Sequence, residues 1–159
     1  ELARDCGVDD NGKKSDLKER VLASWLASNN PAIAAKLERI LEGNERYREH
    51  ADNKCASVKQ FDLALKASTD SALEKWLTEK GNNKGFVLAR DKKRDRLIFQ
   101  AEGYRWHALP KKGRSAGFSS VDFEGEIEVT DPQLFADALL TGIGPAKGFG
   151  CGLMLVRRV

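Results

Sequence analysis

Cysteine is scarce in this sequence, and the residues present stand apart. Cys6, Cys55 and Cys151 are the three, and none belongs to a CxxC pair. That argues against a disulfide framework and against a cysteine-rich zinc site, and it suits a reducing, cytoplasmic setting. Histidine is scarcer still. His50 falls at a charged helix end and His107 in YRWHAL, neither with a carboxylate or cysteine at ligand spacing. They read as an ordinary surface residue and an ordinary sheet residue. No Ser–His–Asp set is legible from the spacing, and no metal or organic cofactor is expected. No window is long and apolar enough to span a membrane, so no membrane partner is expected. No secretion signal, repeat array or low-complexity tract stands out. The opening ELARDCG has no methionine, and the chain is expected to be one segment of a longer protein.

What is present suits a globular protein of one domain, or one domain with an appendage: 159 residues, 41% of them apolar and 32% charged. The net charge of +3 is modest but unevenly placed. Residues 1–84 hold 15 basic and 15 acidic side chains, whereas residues 85–159 hold 12 and 9. The whole excess lies in the second half, a mild pointer to a polyanionic partner there.

The first half reads as helices. After a polar arm at 1–14, Leu17, Val21, Leu22, Trp25 and Leu26 recur with helical spacing. In NNP, Asn30 reads as the N-cap of a second helix with Pro31 at its first position. Its apolar stripe is Ala34, Leu37, Ile40 and Leu41. A third, short helix is expected at 56–67. A fourth is expected from Ser71, where SALE forms a capping box, and GNNKG at 81–85 ends it.

After Gly85 the period changes. FVLAR reads as a strand, DKKRDR as a solvated turn, and LIFQAEGYRWHAL as a strand whose glycine marks a bulge or turn. PKKGRSAG is a basic loop. In FSSVDFEGEIEVT, Val121, Phe123, Ile127 and Val129 alternate with acidic and small residues, as in a half-buried antiparallel strand. Asp131 and Pro132 open a helix through QLFADALL, a glycine loop follows, and LMLV is expected as a last strand. The fold class expected is α+β: a ferredoxin-like (RRM-like) antiparallel domain at 85–159 lacking its first strand, preceded by a helical segment at 1–84.

Two features carry candidate chemistry. In GIGPAKGFGCG, Gly142 to Gly152, five of the eleven residues are glycine, around a single cation, Lys147. A phosphate-binding Walker loop needs GK[ST] and a following helix, and a dinucleotide-binding loop runs strand, glycines, helix. Here the order is helix, glycines, strand, so a nucleotide cofactor is not expected. Two readings stay open: a capped helix with a tight turn into the next segment, or a backbone cradle for phosphates countered by Lys147. The second feature is PKKGRSAGFSS. Lys111, Lys112 and Arg114, with hydroxyls at Ser115, Ser119 and Ser120, form a basic hairpin tip suited to a nucleic-acid groove, or an ordinary solvated loop. Both lie in the half that carries the excess charge, which favours RNA or DNA.

Residues 118–155, FSSVDFEGEIEVTDPQLFADALLTGIGPAKGFGCGLML, resemble the C-terminal end of the CasE family, the type I-E CRISPR precursor-RNA endoribonucleases. An FEG strand, an acidic helix start and a glycine loop of the form GIGPAKxxGCGLL follow in the family's order. KKGRSAG sits where the family carries a basic hairpin. Upstream, KERVLASWL at 18–26 and DSALEKWL at 70–77 both resemble one inter-domain helix of the family, so either residues 31–69 are expected to be an insertion or the N-terminal part is expected to depart from the family.

The resemblance implies two tandem ferredoxin-like domains. It also implies binding of the CRISPR repeat hairpin, metal-independent cleavage at its 3′ base and retention on the guide RNA within the Cascade complex. In that chemistry a 2′-hydroxyl attacks the adjacent phosphate, helped by a histidine. Carried over by position, Lys111, Lys112 and Arg114 would lie along the RNA stem, with Ser115 and Ser119 counted beside them as RNA-binding residues. Gly142, Gly144, Lys147, Gly148, Gly150 and Gly152 would pack near the RNA. The family's catalytic histidine lies near the start of its first domain, and neither His50 nor His107 matches it. These 159 residues are therefore expected to bind CRISPR RNA and other Cascade subunits without cutting. The competing readings are a non-catalytic protein-interaction scaffold and a nuclease using His107.

Overall fold

The computed structural model describes residues 4, 6–9, 14–28, 31–51, 58–94, 96–109 and 116–159. Asn30 and Cys55 lie outside these residues. The chain divides into two compact units, 1–71 and 72–159.

The first unit is helical. Helix α1 spans Lys14–Ser28, α2 spans Pro31–Glu42, and α3 begins at Val58 and runs to Asn82, its last part belonging to the second unit. Val21 and Trp25 of α1, Ile33, Leu37 and Leu41 of α2, and Phe61, Ala64 and Ala67 of α3 form one buried cluster. Trp25 stacks on Phe61 with ring centroids 5.8 Å apart. The charged run after α2 forms a short 3₁₀ turn, Arg48–His50. Buried Tyr47 anchors it by donating a hydrogen bond to Asp70 Oδ2 (2.7 Å). Arg46 stands 3.8 Å from the same carboxylate oxygen.

The expected break before Ser71 is absent, and α3 is one continuous helix of 25 residues. From Val58 to Lys80 it contains neither glycine nor proline, so nothing interrupts its backbone ladder. The capping-box hydroxyl is employed otherwise: Ser71 Oγ accepts from Asn44 Nδ2 at 3.3 Å. Thr69 turns its hydroxyl back onto the Leu65 carbonyl at 2.9 Å, a bond compatible with the helix.

The second unit is built on one long antiparallel ribbon. Strand β1, Phe86–Leu88, pairs with β6, Ile127–Val129, in the register Phe86↔Val129 and Leu88↔Ile127. Strand β4, Phe99–Leu109, pairs with β5, Ala116–Gly125. A two-stranded side hairpin, β2 at Arg90–Asp91 and β3 at Arg96–Leu97, is inserted between β1 and β4. Three backbone bonds close the junction: Ala89 N to Glu126 O, Ile98 N to Ala89 O, and Glu126 N to Ile98 O, at 2.9–3.0 Å. The register of β4 against β5 slips between Glu102 and Arg105, placing the bulge at Gly103 as its sequence position suggested.

Helix α4, Pro132–Thr141, follows β6. Asp131 caps it: Oδ1 accepts from Gln133 N (2.9 Å) and Leu134 N (3.0 Å). The order of α3's end, β1, β6 and α4, with a helical segment first and antiparallel strands after it, gives the α+β class read from the sequence. Phe86, Leu77 and Leu88 form the core, with Trp76, Phe99, Phe123, Phe135, Ile143 and Met154 packed against it.

LMLV does not form the expected last strand. Its alternation is real: Met154 packs on the core while Leu153 and Leu155 are exposed. A strand also needs a backbone partner, and among the described residues none pairs with this segment.

Candidate nucleic-acid interface

The glycine segment is a loop with a closed neck. Gly142 ends α4 at φ 71°, its N–H donating to Ala138 O at 2.8 Å. The next residue, Ile143, donates its N–H to Gly152 O at 2.9 Å, so the two ends of the loop meet. A Cβ on Gly142 would lie 2.8 Å from Gly152 O, and one on Gly152 would collide with the Ile143 carbonyl oxygen. The tight-turn reading thus accounts fully for the two neck glycines. A Cβ on Gly144, whose φ is 93°, would lie 3.7 Å from the ring of Trp76. A 3₁₀ turn, Lys147–Phe149, forms the tip and ends at Gly150. Gly148 is different from all of these: no atom lies within 4 Å of the place its Cβ would take, and its φ is not left-handed. Nothing in the described chain requires glycine there.

An aromatic stack fastens this loop to the ribbon. Phe149 lies on Phe118 of β5, centroids 4.6 Å apart and planes at 16°. Phe118 lies in turn on His107 of β4, 4.7 Å and 18°. The histidine is held from its other side, with Nε2 2.7 Å from Ser120 Oγ. His107 and Phe118 are register partners, so the ladder itself brings two of the three rings together. His107 therefore has a packing role in this fold. The sequence offered no signal for the stack, because 31 positions separate Phe118 from Phe149.

The remaining site residues fall as follows. Lys111, Lys112, Arg114 and Ser115 lie outside the described residues, in the connection between β4 and β5. Ser119 is exposed on β5, its hydroxyl 2.9 Å from that of Tyr104. Lys147, Gly148 and Gly150 are exposed at the loop tip. The distal ribbon and the loop tip thus belong to one body through Phe118 and Phe149. Among the described residues no group of three or more His, Cys, Asp or Glu side chains could hold a metal ion. No helix of the described residues is long and apolar enough to cross a membrane.

The chain has counterparts among known proteins. The description "CRISPR associated protein" belongs to a family whose profile matches residues 13–158, and the chain belongs to that family. Over 42 residues it is 43% identical to the CRISPR system Cascade subunit CasE of Escherichia coli strain K12, in agreement with the resemblance read at 118–155. That stretch is 26% of this chain and 21% of the relative, so the match spans about a fifth of the curated protein's length.

Two solved structures are also similar in part. CRISPR endoribonuclease Cse3 bound to a 19-nt RNA is 29% identical, with 50% of this chain and 38% of that chain covered at a TM-score of 0.44. Thermus thermophilus Cse3 bound to an RNA representing a pre-cleavage complex is 23% identical, with 62% and 40% covered at a TM-score of 0.43.

Proposed function

We propose that this chain is the RNA-binding part of a CRISPR-associated endoribonuclease that recognises the repeat hairpin of precursor CRISPR RNA and stays bound to it within Cascade. The observation that carries this reading is the Phe118–Phe149 stack. It joins the Lys147 loop to a ribbon whose connecting loop contributes Lys111, Lys112 and Arg114. Two cationic features far apart in sequence then act on one phosphate backbone. Gly148 supports the same reading, since open space at its Cβ position leaves room for a sugar–phosphate chain to approach.

Cleavage is assigned to the parent protein, by attack of a 2′-hydroxyl on the adjacent phosphate without metal, with the proton-transferring histidine outside these residues. The surroundings of His107, a phenylalanine ring and a serine hydroxyl, favour structure over proton transfer. Leu140, Leu153 and Leu155, 87%, 74% and 89% exposed, are apolar surface available to other Cascade subunits.

The test is binding of a repeat hairpin RNA across a salt series. Affinity is expected to fall by orders of magnitude between about 50 and about 200 mM salt. Lys147→Ala and the double change Lys111→Ala, Lys112→Ala should each weaken binding and flatten the salt slope, by about one ion per lysine removed. Unchanged affinity in both variants overturns the site assignment. Cleavage by this chain that is lost in His107→Ala overturns the placement of the catalytic histidine.

A further inference from the structure

The distal ribbon carries two large aromatic side chains on its surface, Tyr104 at 62% and Trp106 at 59% exposure. They share a face. Trp106 is the register partner of Ser119, and the Ser119 hydroxyl is the group that meets the Tyr104 hydroxyl at 2.9 Å. Both rings therefore stand over one point of β5, with Gly103 and its bulge re-aiming Tyr104 toward it. The Trp106 ring is held as well. Its Cε2 passes 2.7 Å from where a Cβ on Gly117 would sit, so glycine there lets the indole lie down across the ribbon. Exposed aromatic rings fixed by a hydrogen bond and by close backbone packing are preorganised contact surfaces.

The charge around them selects the occupant. From Gly103 to Val121 the sequence has Arg105, Lys111, Lys112 and Arg114 and no Asp or Glu, while Glu102, Asp122 and Glu124 stand at the root. Flat apolar rings in a stretch whose sequence carries four cations and no carboxylate fit a nucleic acid whose bases present their faces. Bases within a paired stem are covered above and below by their neighbours, so stacking on side chains is open to unpaired nucleotides and, in a stem, to its end pair alone.

We infer that Tyr104 and Trp106 form a stacking platform for the single-stranded nucleotides that flank the paired stem of the bound RNA. This rests on the RNA-binding function proposed above and adds to it a preference for single-stranded segments.

The experiment uses the full 159-residue chain and two labelled RNAs, a repeat hairpin with single-stranded flanks and the same hairpin with blunt ends. The unaltered chain is expected to bind the flanked RNA more tightly. Trp106→Ala and Tyr104→Ala are expected to remove that advantage, each weakening the flanked RNA by about 5- to 150-fold, with blunt-hairpin affinity retained. Trp106→Phe, which keeps a ring, should restore most of it. RNA should also quench tryptophan emission in the unaltered chain but not in Trp106→Phe, a change that a merely structural role would not produce. Equal affinity of the alanine variants and the unaltered chain for the flanked RNA overturns the platform while leaving the RNA-binding reading intact. Equal losses on both RNAs also overturn it, since the rings would then serve the stem. Failure of the unaltered chain to bind either RNA at low salt overturns the underlying function and the platform with it.

Discussion

Phe149 of the glycine loop lies flat on Phe118 of the ribbon, ring centroids 4.6 Å apart, and this contact joins two segments that sequence distance separates. Stacked aromatic pairs contribute about 0.5–1.5 kcal/mol beyond the area they bury. Phe149→Ala is therefore expected to lower stability by about 1–2 kcal/mol in urea denaturation. It should weaken repeat-hairpin binding more than that loss explains, because Lys147 loses its fixed position. Phe149→Trp should retain both properties. Normal RNA affinity in a folded Phe149→Ala chain would contradict a role for the stack in placing the loop.

Gly148 and Gly152 separate the chain's own needs from those of a partner. Gly152→Ala meets the Ile143 carbonyl and a φ of 84°, so it should destabilise the chain by about 1–3 kcal/mol through backbone strain alone. Gly148→Ala meets open space and should leave the melting temperature within the range of a surface change, about 0.5 kcal/mol. If RNA approaches this backbone closely, Gly148→Ala should still weaken binding several-fold. Equal RNA affinity in Gly148→Ala and the unaltered chain would place the RNA elsewhere.

Tyr47 predicts an alkaline transition in the helical unit. Burial, and then the hydrogen bond and negative charge of Asp70, push its phenol up to about 12 from 10.0. The folded state holds the proton more tightly than the unfolded state. The associated stability is full below pH 10 and is lost as pH rises toward about 12. Tyrosinate absorbance near 295 nm (about this wavelength for any ionised phenol) should show a late step absent in Tyr47→Phe. Loss of the bond to Asp70 should cost about 1 kcal/mol at neutral pH. A Tyr47→Phe titration identical to that of the unaltered chain would refute the assignment.

Trp76 ties the end of α3 to the ribbon root, stacked on Phe123 at 5.8 Å and packed on the core cluster that Ile143 also joins. Trp76→Ala should destabilise the second unit by about 3 kcal/mol, the low end for a large aromatic, since the ring is only half-buried. Near-ultraviolet circular dichroism should lose intensity in step. Full native stability would mean that this ring pair does not hold the core.

Local signals were legible where one residue settles local geometry. Asp131 and Pro132 at the start of α4, Gly142 at its end and the bulge at Gly103 could each be read from a few neighbouring residues. The capping box at Ser71 misled because a hydroxyl takes whichever donor the fold presents, and here Asn44 arrives from the turn after α2. The alternation in LMLV misled for a related reason. Period two describes which side chains face the core, as Met154 does, but not whether a backbone neighbour exists to make a ladder.

The sequence by itself determined the helices of the first half, the strand character of the segments after Gly85, the helix start at Asp131 and Pro132, and the glycine loop that ends that helix, all of which depend on residues within about one turn of each other. It also carried the family resemblance at 118–155. Only the tertiary structure decided that His107, Phe118 and Phe149 stack, that Tyr104 and Trp106 share one face over Ser119, and that Gly148 alone among the loop glycines combines open space with a φ outside the left-handed region. These relationships arise from strand register and from the loop closing between Ile143 and Gly152, contacts that no local pattern encodes.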